Sequence, residues 1–281
     1  MKAKTYVISK GRANHQQTHK QLIELGVPHT TVVEREDFDA YRQALDGNYL
    51  ILDKSNQGVS YARNACIIHA IQSGTDIFNI IDDDISIGIT PAYCQGERFV
   101  KRKYQLITRD DFYKLYDWFW GSEFNGLTLN YEQFAFRTEI DASLCGMIYG
   151  FTLMKTKDIA ANNLRYDLSL RTQEDLDFSL KFLRSGLKTI RLNTYTIRTP
   201  AMGSHQGGCH DDYLNGQRQL ATLKVYERHP EPYTYLRNTR FLGFSALIDR
   251  NYFRKEFGLP SDSEYCKTHS IVGNEKIKIQ K

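Results

Sequence analysis

Short apolar runs rich in β-branched residues alternate with stretches of helical period through the first eighty positions. The pattern predicts strands at 5–9, 30–33, 49–52 and 77–81, with Phe78-Asn79-Ile80-Ile81 the clearest core run. Between them it predicts helices at 17–25, 37–45 and 60–72, with Gly26 and Gly74 as stops for the first and third. Strands separated by helices of this length imply βαβ units and a mostly parallel central sheet flanked by helices, an α/β fold. Ligands of such sheets bind beyond the carboxyl ends of the strands. The loops after the first and fourth strands are therefore where chemistry is expected.

Past residue 90 the pattern loosens. Helices are expected at 110–120, 173–185 and 214–228, a strand at 188–192, strands and loops across 127–156, and a strand or helix near 241–248. No repeat, low-complexity stretch or linker divides the chain.

The fourth strand runs straight into Asp82-Asp83-Asp84. Adjacent carboxylates each disfavour ionisation of the next, and a divalent cation relieves that strain. Along an extended backbone residues two apart point the same way, so Asp82 and Asp84 are expected to address one ligand. Hard oxygen donors suit Mg²⁺ or Mn²⁺. An acidic turn ending a strand is the plain alternative, and the strand-end position favours metal.

Four further clusters carry candidate chemistry. Ser9-Lys10-Gly11-Arg12 follows the first strand and suits a nucleotide and its phosphates, though an ordinary basic turn reads the same way. Asn56-Gln57-Gly58 opens a helix in which Ser60 is the expected cap; Arg63 and Asn64 lie one turn inside. Glu174-Asp175 begins another helix, where a carboxylate is favoured electrostatically and can serve as general base; Asp177 is expected to point elsewhere. Gly203 to His210 forms a glycine and histidine loop in which His205 or His210 is a candidate metal or phosphate ligand.

Composition narrows the class. Hydrophobic and charged contents of 41% and 25% are those of a soluble globular protein. Five widely spaced cysteines without a Cys-x-x-Cys pair argue against a disulfide framework or zinc ribbon and for reduced thiols. No apolar leader precedes the first strand and no run is long enough to cross a bilayer, so a cytoplasmic protein without a membrane partner is expected. The net charge of +4 permits a polyanionic partner without requiring one.

Taken in order, these motifs resemble the GT-A fold nucleotide-sugar glycosyltransferases over about residues 4 to 210. Asn56-x-Gly58, Ala62-Arg63-Asn64 and Asp82-Asp83-Asp84 carry that likeness. Ser9-Lys10-Gly11-Arg12-Ala13, Thr18, and Glu34 with Tyr41 make the chain most similar to the phage glycosyltransferases associated with TET/JBP base oxygenases. The resemblance implies a donor-binding half at 1–90, an acceptor and catalytic half at 91–210, and a C-terminal helical extension at 211–281 packed on the same domain. It implies that Asp82, Asp84 and His205 hold Mn²⁺ or Mg²⁺ against a UDP-sugar. Ser9, Lys10, Gly11, Arg12, Asn56, Gly58, Arg63, Asp82 and Asp83 would line the donor. Asp175, with Glu174 beside it, would be the base of an inverting transfer. The implied acceptor is DNA bearing 5-hydroxymethylcytosine or 5-hydroxymethyluracil, met by the cations Arg98, Lys101, Arg102 and Lys103. Competing readings are a transferase acting on glycans, proteins or small molecules, a nucleotidyltransferase, and a binding module on a transferase scaffold.

Overall fold

The computed structural model describes residues 1–200, 217–231, 233–239, 243–274 and 276–278. Its first third alternates as the pattern predicts: β1 (Ala3–Ile8), α1 (Gln17–Glu24), β2 (Thr30–Glu34), α2 (Phe38–Ala44), β3 (Asn48–Leu52), α3 (Val59–Gln72) and β4 (Ile77–Asp82). Next come β5 (Ser86–Ile89), β6 (Ala92–Gln95), β7 (Arg98–Arg102), β8 (Gln105–Leu106), α4 (Arg109–Gly121), β9 (Gly126–Tyr131), the short α5 (Glu132–Ala135), β10 (Ala142–Leu144) and β11 (Phe151–Lys155). The rest comprises α6 (Thr156–Ala161), α7 (Glu174–Arg184), β12 (Thr189–Arg198), α8 (Gln217–Arg228), β13 (Tyr233–Thr239), β14 (Gly243–Ile248), α9 (Arg250–Glu256), α10 (Asp262–Thr268) and β15 (Lys276–Lys278).

The central sheet runs β3-β2-β1-β4-β11-β9-β12-β5-β8, with β10 also on β12. The four strands from β3 to β4 are parallel. Beyond β4 the pairing is mixed: β11 runs antiparallel to both neighbours, β9 and β12 are parallel, and β5 and β8 are antiparallel. The expectation of a mostly parallel sheet therefore holds for the first half alone, because beyond β4 the strands pair antiparallel except for β9 with β12.

Alternation along β1 and β4 builds a core on each face. Val7, Ile77 and Ile81 pack with Leu22 of α1 and with Phe112, Leu115 and Phe119 of α4. Tyr6, Phe78 and Ile80 pack with Ala62, Cys66 and Ile67 of α3 and with Phe178 and Phe182 of α7. A smaller cluster joins Leu180 and Leu183 of α7 to Val225 of α8 and Phe253 of α9. The C-terminal extension is not helical alone, since β13 and β14 pair within it and β15 pairs with β6; it is tied on by polar contacts, with Leu144 N donating to Asp262 Oδ1 and Trp118 Nε1 to Ser270 O.

Candidate active site

The carboxyl ends of β1 to β4 lie at one edge of the sheet, where Ile8 registers with both Val32 and Asp82. There the loops are stitched to one another. Lys10 Nζ lies 3.1 Å from Glu34 Oε2 and donates to Asn56 Oδ1 at 2.6 Å, while Asn56 N donates to Glu34 Oε1. Asn56 (φ 59°) and Gly58 (φ 87°) both adopt left-handed backbone. A Cβ at Gly58 would stand 3.1 Å from Arg171 Nη1, a contact the arginine could relieve by shifting, whereas the positive φ itself favours glycine. Gly58 itself occupies the N-cap of α3; Ser60, the expected cap, donates instead to Leu170 O.

Strand parity divides the acidic triplet. Asp82, the last residue of β4, faces the α3 and α7 side, where Arg63 Nη2 is 3.2 Å from its Oδ1. Asp83 turns to the opposite side, where it accepts from Ser9, Gln16 and Arg12 and is buried. Arg12 Nη1 lies 2.9 Å from both Asp83 and Asp84. The strand ends at Asp82 and the chain turns, so the direction of Asp84 is set by that turn and not by strand alternation. Ser9 and Asp83, expected to line the donor, instead spend their oxygens on a buried network with Tyr41 and Gln16. Asp82 and Asp84 keep 38% and 30% of their side chains exposed, and they are the two members open to a ligand.

Arg63 also approaches Glu174 Oε1 at 3.7 Å, and its guanidinium lies over the Tyr166 ring. Removal from water and the adjacent Asp175 charge push the Glu174 carboxyl well up, against the pull of Arg63. Burial likewise raises Asp82 to about 6, opposed by Arg63 and reinforced by Asp84 and Asp83. Asp175 is half-buried at the start of α7, with its Oδ1 accepting from Leu176 N. Asp177 does point away: fully buried, it meets Lys181 at 2.6 Å and His229 at 3.1 Å.

The two exposed carboxylates fit a hard cation that retains waters. Among the described residues no group of three potential ligands assembles, and His205, His210 and the rest of that loop lie outside the described residues. Of the expected basic patch, Arg98, Lys101 and Lys103 are exposed. Arg102 is not part of it. Its guanidinium is buried, donating to Thr90 O, Thr138 O and Glu139 O and pairing with Asp141. Sequence reasoning passed over Tyr131, Tyr149 and Gly150, which strand pairing alone brings to Asp82: Asp82 N donates to Gly150 O at 2.9 Å.

A family model of the TET-associated glycosyltransferases matches residues 3–208. The chain belongs to this family. Membership places it among the glycosyltransferases, and the match spans every described element of the site, from Ser9 to Asp175. A search of curated proteins finds no match. Among solved structures, S. aureus TarS 1–349 in complex with UDP-GlcNAc is similar at 13% identity and a TM-score of 0.47, over 92% of this chain and 71% of that one. The same fragment without ligand in its description is matched over 66% of its length. A CMP-2-keto-3-deoxy-manno-octonic acid synthetase complexed with CTP is similar at 11% identity and a TM-score of 0.43, over 81% of this chain and all of that one. Among the described residues no helix is long and apolar enough to cross a membrane.

Proposed function

We propose that this TET-associated glycosyltransferase moves a sugar from a UDP-sugar to the hydroxymethyl oxygen of 5-hydroxymethylcytosine or 5-hydroxymethyluracil in phage DNA, within the host cytoplasm. The observation that carries the reading is the convergence of Asp82, Arg63, Glu174 and Asp175 at the end of β4. It sets exposed carboxylates suited to a diphosphate-bound cation beside a carboxylate suited to proton removal. Lys10, Glu34 and Asn56 fix the loops against which the nucleotide would lie. A Mn²⁺ or Mg²⁺ ion held by Asp82 and Asp84, with His205 as third ligand, would supply charge compensation for the departing diphosphate.

The protein's own groups divide the remaining work. Glu174 is held toward its neutral form by burial, and Asp175, half-buried at the start of α7, is assigned the part of general base. Asp175 takes the proton of the acceptor hydroxyl as its oxygen bonds to the anomeric carbon. The bond from that carbon to the diphosphate breaks on the opposite face, and configuration inverts. Arg63 keeps Asp82 and Glu174 in place through the change in charge.

The test is mass spectrometry of DNA containing either hydroxymethylpyrimidine after incubation with the protein, Mn²⁺ and a panel of nucleotide sugars. One added sugar per modified base, with release of UDP, is the expected result. Transfer to a glycan or protein but to no such DNA overturns the acceptor assignment, and release of pyrophosphate overturns the reaction class.

A further inference from the structure

Beside the acids stands a cluster of aromatic rings to which the reaction above gives no task. The Tyr131 ring, at the end of β9, stacks on Tyr149 with centroids 5.1 Å and planes 11° apart. Phe134 of α5 meets Tyr131 edge-on at 6.0 Å. Both tyrosines are half-buried and Phe134 is 63% exposed, unlike the core rings Phe112 and Phe119, which are at most 1% exposed. Filling the interior does not account for Phe134.

Backbone contacts fix where the stack lies. Asp82 N donates to the carbonyl of Gly150, the residue after Tyr149. Ile148 N, on the other side of Tyr149, donates to Ser179 Oγ, which in turn donates to Asp175 O at 2.7 Å. Tyr149 is thus strung between the end of β4 and the helix that carries Asp175. Burial together with the Asp82 and Asp175 charges holds the Tyr131 phenol protonated, far above its usual range.

Cations border the rings. Arg102 N donates to Phe136 O at 3.0 Å, which brings the β7 end, with exposed Lys101 and Lys103, alongside exposed Arg137. Exposed aromatic faces interleaved with cations suit a strand that presents flat rings on an anionic backbone. A neutral glycan would use the rings and leave the cations without a partner.

We propose that Tyr131, Tyr149 and Phe134 form the acceptor subsite, stacking a pyrimidine extruded from DNA so that its hydroxymethyl group faces Asp175, with Lys101, Lys103 and Arg137 on the flanking phosphates. This subsite rests on the DNA-acceptor reading above. Extrusion is what lets the base ring, and not only the C5 substituent that projects into the major groove, stack on these side chains beside the half-buried Asp175.

The experiment is steady-state transfer to an oligonucleotide carrying 5-hydroxymethyluracil, comparing the wild type with Phe134→Ala, Tyr149→Ala and Phe134→Trp. Calorimetric UDP binding checks that the donor half is folded, and exposed Phe134 keeps the test decisive if Tyr149→Ala unfolds. Loss of one stacking ring is expected to raise the acceptor KM roughly 5- to 150-fold, with kcat changing far less and tryptophan restoring it. A wild type active on DNA whose KM is unmoved in Phe134→Ala and in folded Tyr149→Ala overturns the subsite and leaves the DNA reading intact. A wild type inert on every hydroxymethylated DNA overturns both.

Discussion

Arg63 Nη2 stands 3.2 Å from Asp82 Oδ1, and the same nitrogen is 3.7 Å from Glu174. One buried cation therefore serves a carboxylate from β4 and another from α7. Removing one partner of a buried ion pair typically costs about 3–5 kcal/mol, because the other charge is left without compensation. Arg63→Leu is expected to lose stability on that scale and to lose transfer activity. Urea titration checks the first, and a UDP-release assay the second.

Asp175→Asn removes the proposed proton acceptor while keeping side-chain volume. Turnover is expected to fall by roughly 10²- to 10⁴-fold, the usual contribution of a positioned general base. UDP affinity, read by calorimetry, should remain within a few-fold of wild type. Unchanged turnover would remove Asp175 from the mechanism.

The basic residues of β7 should separate into two behaviours. Lys101→Ala and Lys103→Ala are expected to lower the salt slope of DNA binding by about 1 each while leaving thermal stability alone. Arg102→Leu should do the reverse. It strands Asp141 and three carbonyls that now receive hydrogen bonds, so it should unfold more easily, with a salt slope close to wild type.

Acid should destabilise the fold through His19. His29 Nε2 and His19 Nδ1 are 2.7 Å apart, and His29 Nδ1 is 3.0 Å from Val27 O, a chain that is satisfied when both rings are neutral. Burial, with His29 adding to it, lowers His19 from 6.5 to about 4. Between those values the unfolded chain binds the extra proton, so stability falls as pH drops from about 6.5 to 4, by up to about 3 kcal/mol. Urea midpoints measured across that range should fall less steeply in His19→Leu than in the wild type. Parallel slopes would exclude the pair as the cause.

The stretch from β1 to β4 was legible in the sequence because its information is local. Strand, turn and helix follow in order, and Ser9 to Arg12, Asn56 to Gly58 and Asp82 to Asp84 all fall at strand ends that periodicity locates. The aromatic cluster beyond β4 was not legible. Tyr131 and Tyr149 are brought together by β9 pairing with β11, a contact that no spacing signals. Arg102 misled for a related reason. Its neighbours are exposed cations, and only the carbonyls of Thr90, Thr138 and Glu139 around it make it an interior residue. At Gly150 (φ 65°) an added Cβ would come within 3.0 Å of Ile197 and 3.8 Å of Asp82 Oδ2.

The sorting of Asp82 and Asp83 to opposite faces of β4 makes the count of residues in that strand a chemical quantity. Point substitutions in Ile77 to Ile81 that preserve size would leave the sorting untouched. With the start of the strand held in register, deleting a single residue there would move Asp82 into the slot of Ile81 on the α1 and α4 side, bring Asp83 beside Arg63 and turn Asp84 toward Ser9. Chemistry at this strand end is thus tolerant of spelling and intolerant of frame.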